Sequence, residues 1–120
     1  MTDATTEFFD ELGRRGHEPL LQTTTGTLRF DVADGDRVER WFVTIEKGDV
    51  TVSRKNAHAD AVVSTDRAGA DGMFSGKVNA MAAFLRGAIE PRGDLGLILA
   101  FQRLFPGPPT SRTKARREAQ

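Results

Sequence analysis

At 120 residues the chain has the length of one domain, enough to bury about two-thirds of its unfolded surface around a single core. Its 17 basic and 17 acidic side chains cancel, so no global field draws nucleic acid or acidic substrates. With no cysteine, the sequence excludes disulfides, thiolate catalysis and cysteine-ligated metals. The N-terminal MTDATTEFFDEL is acidic and lacks a signal-peptide core, and a cytoplasmic location is the expectation. The longest dense apolar run, LGLILAF at 95–101, falls well short of the ~18–20 residues that span a bilayer, so no transmembrane segment is expected.

In chain order, Asp3, Thr5 or Thr6 caps a first helix, with Phe8, Phe9 and Leu12 at helical spacing and Gly16 as its stop. GTLRFDVA at 26–33 alternates Leu28, Phe30 and Val32 with Arg29 and Asp31, the period of a half-buried strand. A DGD turn leads to VERWFVTIE, with Trp41, Val43 and Ile45 on one face. The KGD turn at 47–49, where Gly48 takes positive φ, leads to DVTVSR with Val50 and Val52 inward. ADAVVS at 59–64 is a shorter fourth strand. These four read as an antiparallel meander with one wet face. Trp41 and Phe42, being adjacent on a strand, face opposite ways, one into the core and the other either exposed or covered by a second layer or a dimer.

The period then changes. Asp66 caps a helix bearing Ala70, Met73 and Phe74, and Asn79 caps a second with Met81, Phe84 and Leu85 on one face and Gly87 as its stop. AIEPR at 88–92 is short and extended, and Pro91, having no N–H, makes it an edge strand or a bulge. Asp94 caps a last helix over 95–105, ended by Pro106, Pro108 and Pro109. Leu95, Leu97, Ile98, Leu99, Phe101, Leu104 and Phe105 occupy most of that helix's circumference, more than a one-sided cover of a sheet requires. Its partners on the second side are a further helix, another subunit, a membrane surface or an apolar ligand. The tail, 108–120, carries no apolar periodicity and reads as disordered. Four basic residues (Arg112, Lys114, Arg116, Arg117) against Glu118 give it a net charge of +3 and leave −3 on the rest. That charge gives only weak recruitment to an acidic membrane, and a solvated tail is the reading preferred.

Catalytic motifs are scarce. GMFSGKV at 72–78 fails the phosphate-loop pattern GxxxxGK[ST] twice, at Asp71 and Val78, and reads as a helix stop at Gly76 followed by a loop. His17 and His58 stand in polar contexts without a third ligand at metal spacing, so neither a metal site nor a cofactor is expected. No GxSxG elbow is present.

The order of these features resembles the sterol carrier protein type two (SCP2-like, sterol-binding) domain. The residues that carry the resemblance are GTLRFDV (26–32), WFVTIEKGDVTV (41–52), AHADAVVSTD (57–66) and, above all, MFSGKVNAMAAFLRGAIEPRGDLGLILAFQRLF (73–105). The run typical of that family, G-K-x-N…A-F-x-x-G-x-[IL]-x-x-x-G-D, reads here as Gly76-Lys77-Val78-Asn79, Ala83-Phe84-Leu85-Arg86-Gly87-Ala88-Ile89 and Gly93-Asp94. The resemblance covers about residues 5–105 of a domain expected over 1–107. Pro91 departs from it, replacing the usual β-former of the last strand, and REAQ is not the peroxisomal address of some eukaryotic members.

The resemblance implies an α/β (α+β) fold in two layers, a five-stranded, mostly antiparallel sheet covered on one face by helices. It implies a hydrophobic tunnel between the layers for fatty acids, acyl-CoA, sterols or related lipids, and no catalysis by the domain itself. The lining then falls to Phe30, Trp41 and Val43 on the strands and to Phe74, Met81, Phe84, Leu85, Ile98, Phe101 and Phe105 on the helices. The expected partner is a hydrophobic small molecule, with at most transient membrane contact and no nucleic acid. Two alternatives stand beside this one. In the first, the apolar C-terminal helix serves a homodimer or a partner enzyme. In the second, the chain is an accessory enzyme acting on a small apolar acid, with Arg86, Arg92 or His58 holding its carboxylate.

Overall fold

The computed structural model describes residues 3–105. They form a five-stranded sheet, one face of which is covered by helices. In chain order the elements are α1 (Ala4–Arg15), a 3-10 turn (Pro19–Leu21), β1 (Thr25–Asp34), β2 (Arg37–Glu46), β3 (Asp49–Ser53) and β4 (Ala61–Asp66). They continue with α2 (Arg67–Ser75), α3 (Ala80–Leu85), β5 (Glu90–Gly93), α4 (Leu95–Phe101) and a 3-10 turn at Gln102–Leu104. The expectations for the tail 108–120 lie outside the described residues.

The α/β architecture is the one read from the sequence, but the meander is not. The spatial order is β3-β2-β1-β4-β5. β4 returns beside β1 and runs parallel to it, Phe30 opposite Val63, whereas the other pairings are antiparallel. Alternation of apolar residues fixes which face of a strand is buried but says nothing about its neighbour. The link 54–60 makes the crossover, and at ~3.3 Å per extended residue it is long enough to pass two strands about 4.8 Å apart. It lies on the sheet's outer face. Arg29 donates from Nη1 to the Ala57 carbonyl at 2.9 Å and is held flat by a two-pronged pair with Asp31, 2.9 Å on each prong. The Lys55 ammonium sits 4.7 Å above the Phe42 ring. Phe42 is therefore only 4% exposed, although it lies on the face without helices.

The inner face carries Leu28, Phe30 and Val32 of β1, Trp41, Val43 and Ile45 of β2, and Ala61 and Val63 of β4, all buried. Helix α1 covers the β2–β3 half. Phe9 stacks on Trp41 with centroids 5.2 Å apart and planes 14° apart, and Leu12 is fully buried. Helices α2 and α4 cover the half over β1 and β4.

Each α-helix among the described residues starts at a side-chain cap. Asp3, Asp66, Asn79 and Asp94 each accept from the N–H three residues on. Gly76 ends α2 in the left-handed conformation, φ 83°, so GMFSGKV is a helix stop. Gly93 answers to a tighter constraint. With φ at 88°, a β-carbon on it would lie 2.3 Å from the Asp60 carbonyl oxygen, which accepts from the Asp94 N–H at 3.0 Å. Gly93→Ala is expected to cost about 2–4 kcal/mol, since backbone strain and a backbone clash coincide. Urea denaturation measures it, and a loss under about 1 kcal/mol contradicts this account of the junction.

A charged knot ties the N-terminus to the sheet. Arg67, the first residue of α2, reaches Asp3 at 3.0 Å, Asp34 at 3.5 Å, Asp71 at 3.9 Å and the Glu39 carboxylate. The Thr5 hydroxyl, fully buried, donates to Asp71 Oδ1 at 2.6 Å. Burial alone would lower the Arg67 pKa, but the hydrogen bond to Glu39 and the charges of Asp3, Glu39 and Asp71 outweigh it and hold the guanidinium above its ordinary value. At Asp3 burial acts to raise the carboxyl pKa. The Thr6 hydrogen bonds and the charges of Arg67 and Arg54 overcome it, so Asp3 lies below the usual carboxylate range. Glu18 lies below it too, burial being outweighed by the Leu20 N–H, by Arg15 and by His17.

Candidate functional site: an apolar chamber between sheet and helices

A cavity of about 110 Å³ lies between the β1–β4 half of the sheet and the short helices. Leu28, Phe30 and Val63 form its floor, with Met73 of α2 beside them. Ala80, Met81 and Phe84 of α3 form one wall, and Ile89 and Pro91 close the side next to the edge strand. Leu95, Ile98, Leu99 and Phe101 of α4, followed by Gln102 and Phe105, form the other wall. Among the described residues, Gln102 is the one polar residue in the lining.

Of the residues expected to line a tunnel, the structure brings together Phe30, Met81, Phe84, Ile98, Phe101 and Phe105. Trp41 and Val43 face inward but do not line the cavity. Trp41 is sealed by Phe9 on one side and by the Arg54 guanidinium, 4.2 Å from its ring centroid. Phe74 sits one layer back, stacked on Phe8 at 4.5 Å and edge-on to Phe105 at 4.9 Å. Leu85 points outward, 76% exposed. The spacing i, i+3, i+4 fits 80-83-84 as well as 81-84-85, and small Ala80 and Ala83 let α3 approach the core along the first frame.

Lining residues that the sequence did not single out as such are Leu28 and Val63, which strand alternation marks as inward, Met73, Ala80, Ile89, Pro91, Leu95 and Leu99, and Gln102, on the turn that also carries Arg103. The last helix is shorter than expected, ending at Phe101, and it is not buried all round. Leu95 and Leu99 are 50% and 46% exposed, and Met81 on α3 is 37% exposed. These three line the cavity and also face solvent, so they form its mouth.

Titratable groups stay outside the chamber. Arg86, Arg92 and His58 are exposed, and none lines it. His17 is also exposed, its Nδ1 2.8 Å from Asp49 Oδ1. Among the described residues no three His, Asp or Glu side chains gather as a metal site, and no helix is long and apolar enough to cross a membrane. A second depression, between α1 and β3, is more open and partly polar.

Fold and chamber together define a two-layer α/β domain built around an internal apolar cavity. Residues 9–106 match the model of the SCP-2 sterol transfer family, and the chain belongs to that family. Its fold is that of sterol carrier protein 2 from Yarrowia lipolytica in the apo form, with a TM-score of 0.69 at 18% identity, covering 83% of this chain and 88% of that one. It is also that of sterol carrier protein 2 from Aedes aegypti in complex with the C16 fatty acid palmitate (TM-score 0.66, 18% identity, 86% and 94% covered). In sequence the chain is 31% identical over 101 residues to hydroxysteroid dehydrogenase-like protein 2 of Xenopus laevis. The match takes in 82% of this chain but 24% of that relative, so the chain spans about a quarter of its length.

Proposed function

We propose that the protein binds and transfers single-chain lipids, a long-chain fatty acid or a similar acyl compound, without catalysing a reaction on them. The observation that carries this reading is the chamber's lining, apolar throughout save for Gln102 and opening through a mouth of leucines. Palmitate is the ligand of the Aedes aegypti relative with the same fold. Each methylene withdrawn from water contributes about 0.8 kcal/mol, so ten of them supply about 8 kcal/mol before ordering costs. A chain needs little else than grease and one or two polar atoms near its head.

At about 110 Å³ the cavity is smaller than the ~300–1,000 Å³ of sites that hold whole drug-sized ligands. A long chain therefore enters as α3 and α4 part over the fixed sheet floor. Both helices are short, six and seven residues, and owe their stability to packing rather than to their own hydrogen bonds. Met73 and Met81, flexible and polarisable, suit a wall that re-forms around different chains. Selectivity among chain lengths is then weak, since one methylene is worth about 1–3 kcal/mol even in a shaped pocket.

Protein purified from cells and extracted under denaturing conditions is expected to release a fatty acid or related lipid, identified by mass spectrometry. The stripped protein is expected to take up a fluorescent long-chain fatty acid with a Kd in the micromolar range or below, about −8 kcal/mol. Recovery of no apolar molecule, together with no uptake, would sink the reading. The dehydrogenase-like relatives, which extend far beyond the matched segment, favour a second reading. In it the domain presents an apolar substrate to a partner enzyme; the same cavity serves both.

A further inference from the structure

With no cysteine in the chain, all of its sulfur is in methionine, at positions 1, 73 and 81. Met1 lies outside the described residues. The other two line the same chamber but differ in access. Met73 of α2 is 1% exposed, beside the sheet floor, whereas Met81 of α3 is 37% exposed at the mouth. Met81 therefore meets both the space a lipid chain enters and the water outside. Oxidants in that water reach its thioether and not that of Met73, and the sulfoxide they make is polar where the thioether was apolar. The α3 wall offers the new oxygen no side-chain donor. Its other lining residues are Ala80 and Phe84, and Gln102 stands on the other wall.

We propose that Met81 is an oxidation site through which hydroperoxides switch lipid uptake off, the empty protein being the form they attack. The proposal rests on the lipid-binding reading. In the step, the sulfur lone pair attacks one peroxide oxygen, the O–O bond breaks and a sulfur–oxygen bond forms. The thioether is oxidised by two electrons to the sulfoxide. The peroxide is reduced by the same two and leaves as water, or as an alcohol when it is an alkyl hydroperoxide. An apolar chain passing the mouth then strips water from the sulfoxide oxygen, with no donor on that wall to replace it. A chain already seated covers Met81 and keeps peroxide from the sulfur, so the cargo shields its own carrier. Methionine sulfoxide reductases reverse the change.

The test uses the full chain, stripped of lipid or loaded with palmitate, and treated with hydrogen peroxide. Trypsin cuts after Arg67, Lys77 and Arg86, so Met73 and Met81 fall on separate peptides, 68–77 and 78–86. Mass spectrometry reads the added oxygen on each. In the empty protein Met81 is expected to oxidise at least about tenfold faster than Met73, and palmitate to slow Met81 by about fivefold or more. The oxidised protein is expected to take up a fluorescent fatty acid at least about tenfold more weakly, and sulfoxide reductase to restore uptake. Met81→Leu and Met73→Leu are each compared with themselves before and after peroxide. Whatever its starting affinity, Met81→Leu is expected to lose nothing on treatment, and Met73→Leu to lose as much as the wild type. Uptake unchanged after Met81 is oxidised overturns the proposal, as does an equal loss in Met81→Leu. So does a Met81 that oxidises equally fast with and without palmitate, since the chain then does not cover it. A wild type that takes up no fatty acid before peroxide overturns the lipid-binding reading and this inference with it.

Discussion

Replacing Ala80 with phenylalanine is expected to abolish fatty-acid uptake while leaving the protein folded. Ala80 is the first residue of α3, and its half-buried methyl lines the chamber opposite the α4 wall. A ring at this position fills space that a lipid chain would occupy, and Asn79 still caps the helix through its bond to the Ala82 N–H at 2.9 Å. Since the bulk enters an existing void, stability is expected to change by less than about 1.5 kcal/mol. A loss of more than about a hundredfold in affinity is expected, equivalent to excluding three or four methylenes. Ile98→Ala, on the facing wall, acts in the opposite sense. It enlarges the chamber, retains uptake and costs about 1–3 kcal/mol, less than a fully buried truncation because Ile98 is half-buried. Uptake by Ala80→Phe at wild-type affinity would place the ligand elsewhere.

The second large effect lies far from the chamber. Arg67→Met is expected to destabilise the domain by about 2–3 kcal/mol, which for a domain of this size lowers the melting temperature by roughly 10–20 °C. Without the guanidinium, Asp3, Asp34, Glu39 and Asp71 converge on an uncharged side chain, and the link from the start of α1 to β2 and α2 is lost. The figure sits below the ~3–5 kcal/mol of a fully buried pair because the carboxylates remain partly hydrated. Asp3 and Glu18 titrate below the ordinary carboxylate range in the folded protein, so the unfolded chain binds protons first as pH falls. Their contribution is complete above the unfolded carboxylate pKa values and is lost progressively below about pH 4. Melting curves from pH 7 down to pH 3 are expected to show a steep acid loss in the wild type and a shallower one in Arg67→Met, where the Arg67 part of the Asp3 effect is gone. Parallel curves would contradict the knot as the source of that acid sensitivity.

Local chemistry explains why much of the fold was legible. A helix cap is a bond between a side chain and an N–H three residues away, so Asp66, Asn79 and Asp94 declare α2, α3 and α4 by themselves. Alternation likewise marks Phe30, Trp41 and Val43 as inward. What sits above an inward residue is a long-range matter. Trp41 and Val43 share the inner face with Phe30, yet Phe9 of α1 seals Trp41 while the chamber stands over β1 and β4. The parallel pairing of β4 with β1, and the burial of Phe42 beneath Lys55, both depend on the path of the 54–60 link across the outer face. On α3, two frames one residue apart satisfy the same spacing, and only tertiary packing turned Leu85 outward.

The central claim is that a lipid chain occupies the space between the β1–β4 floor and the α3 and α4 walls. Isotope-filtered NMR of the stripped protein loaded with carbon-13-labelled palmitate tests it most directly. Contacts are expected from the chain's methylenes to the methyl groups of Leu28, Val63, Ile89 and Ile98, from the floor, the edge-strand side and α4. Contacts confined to Val50 and Val52, in the open depression between α1 and β3, or the absence of any contact in a protein that has taken up the fatty acid, would contradict it.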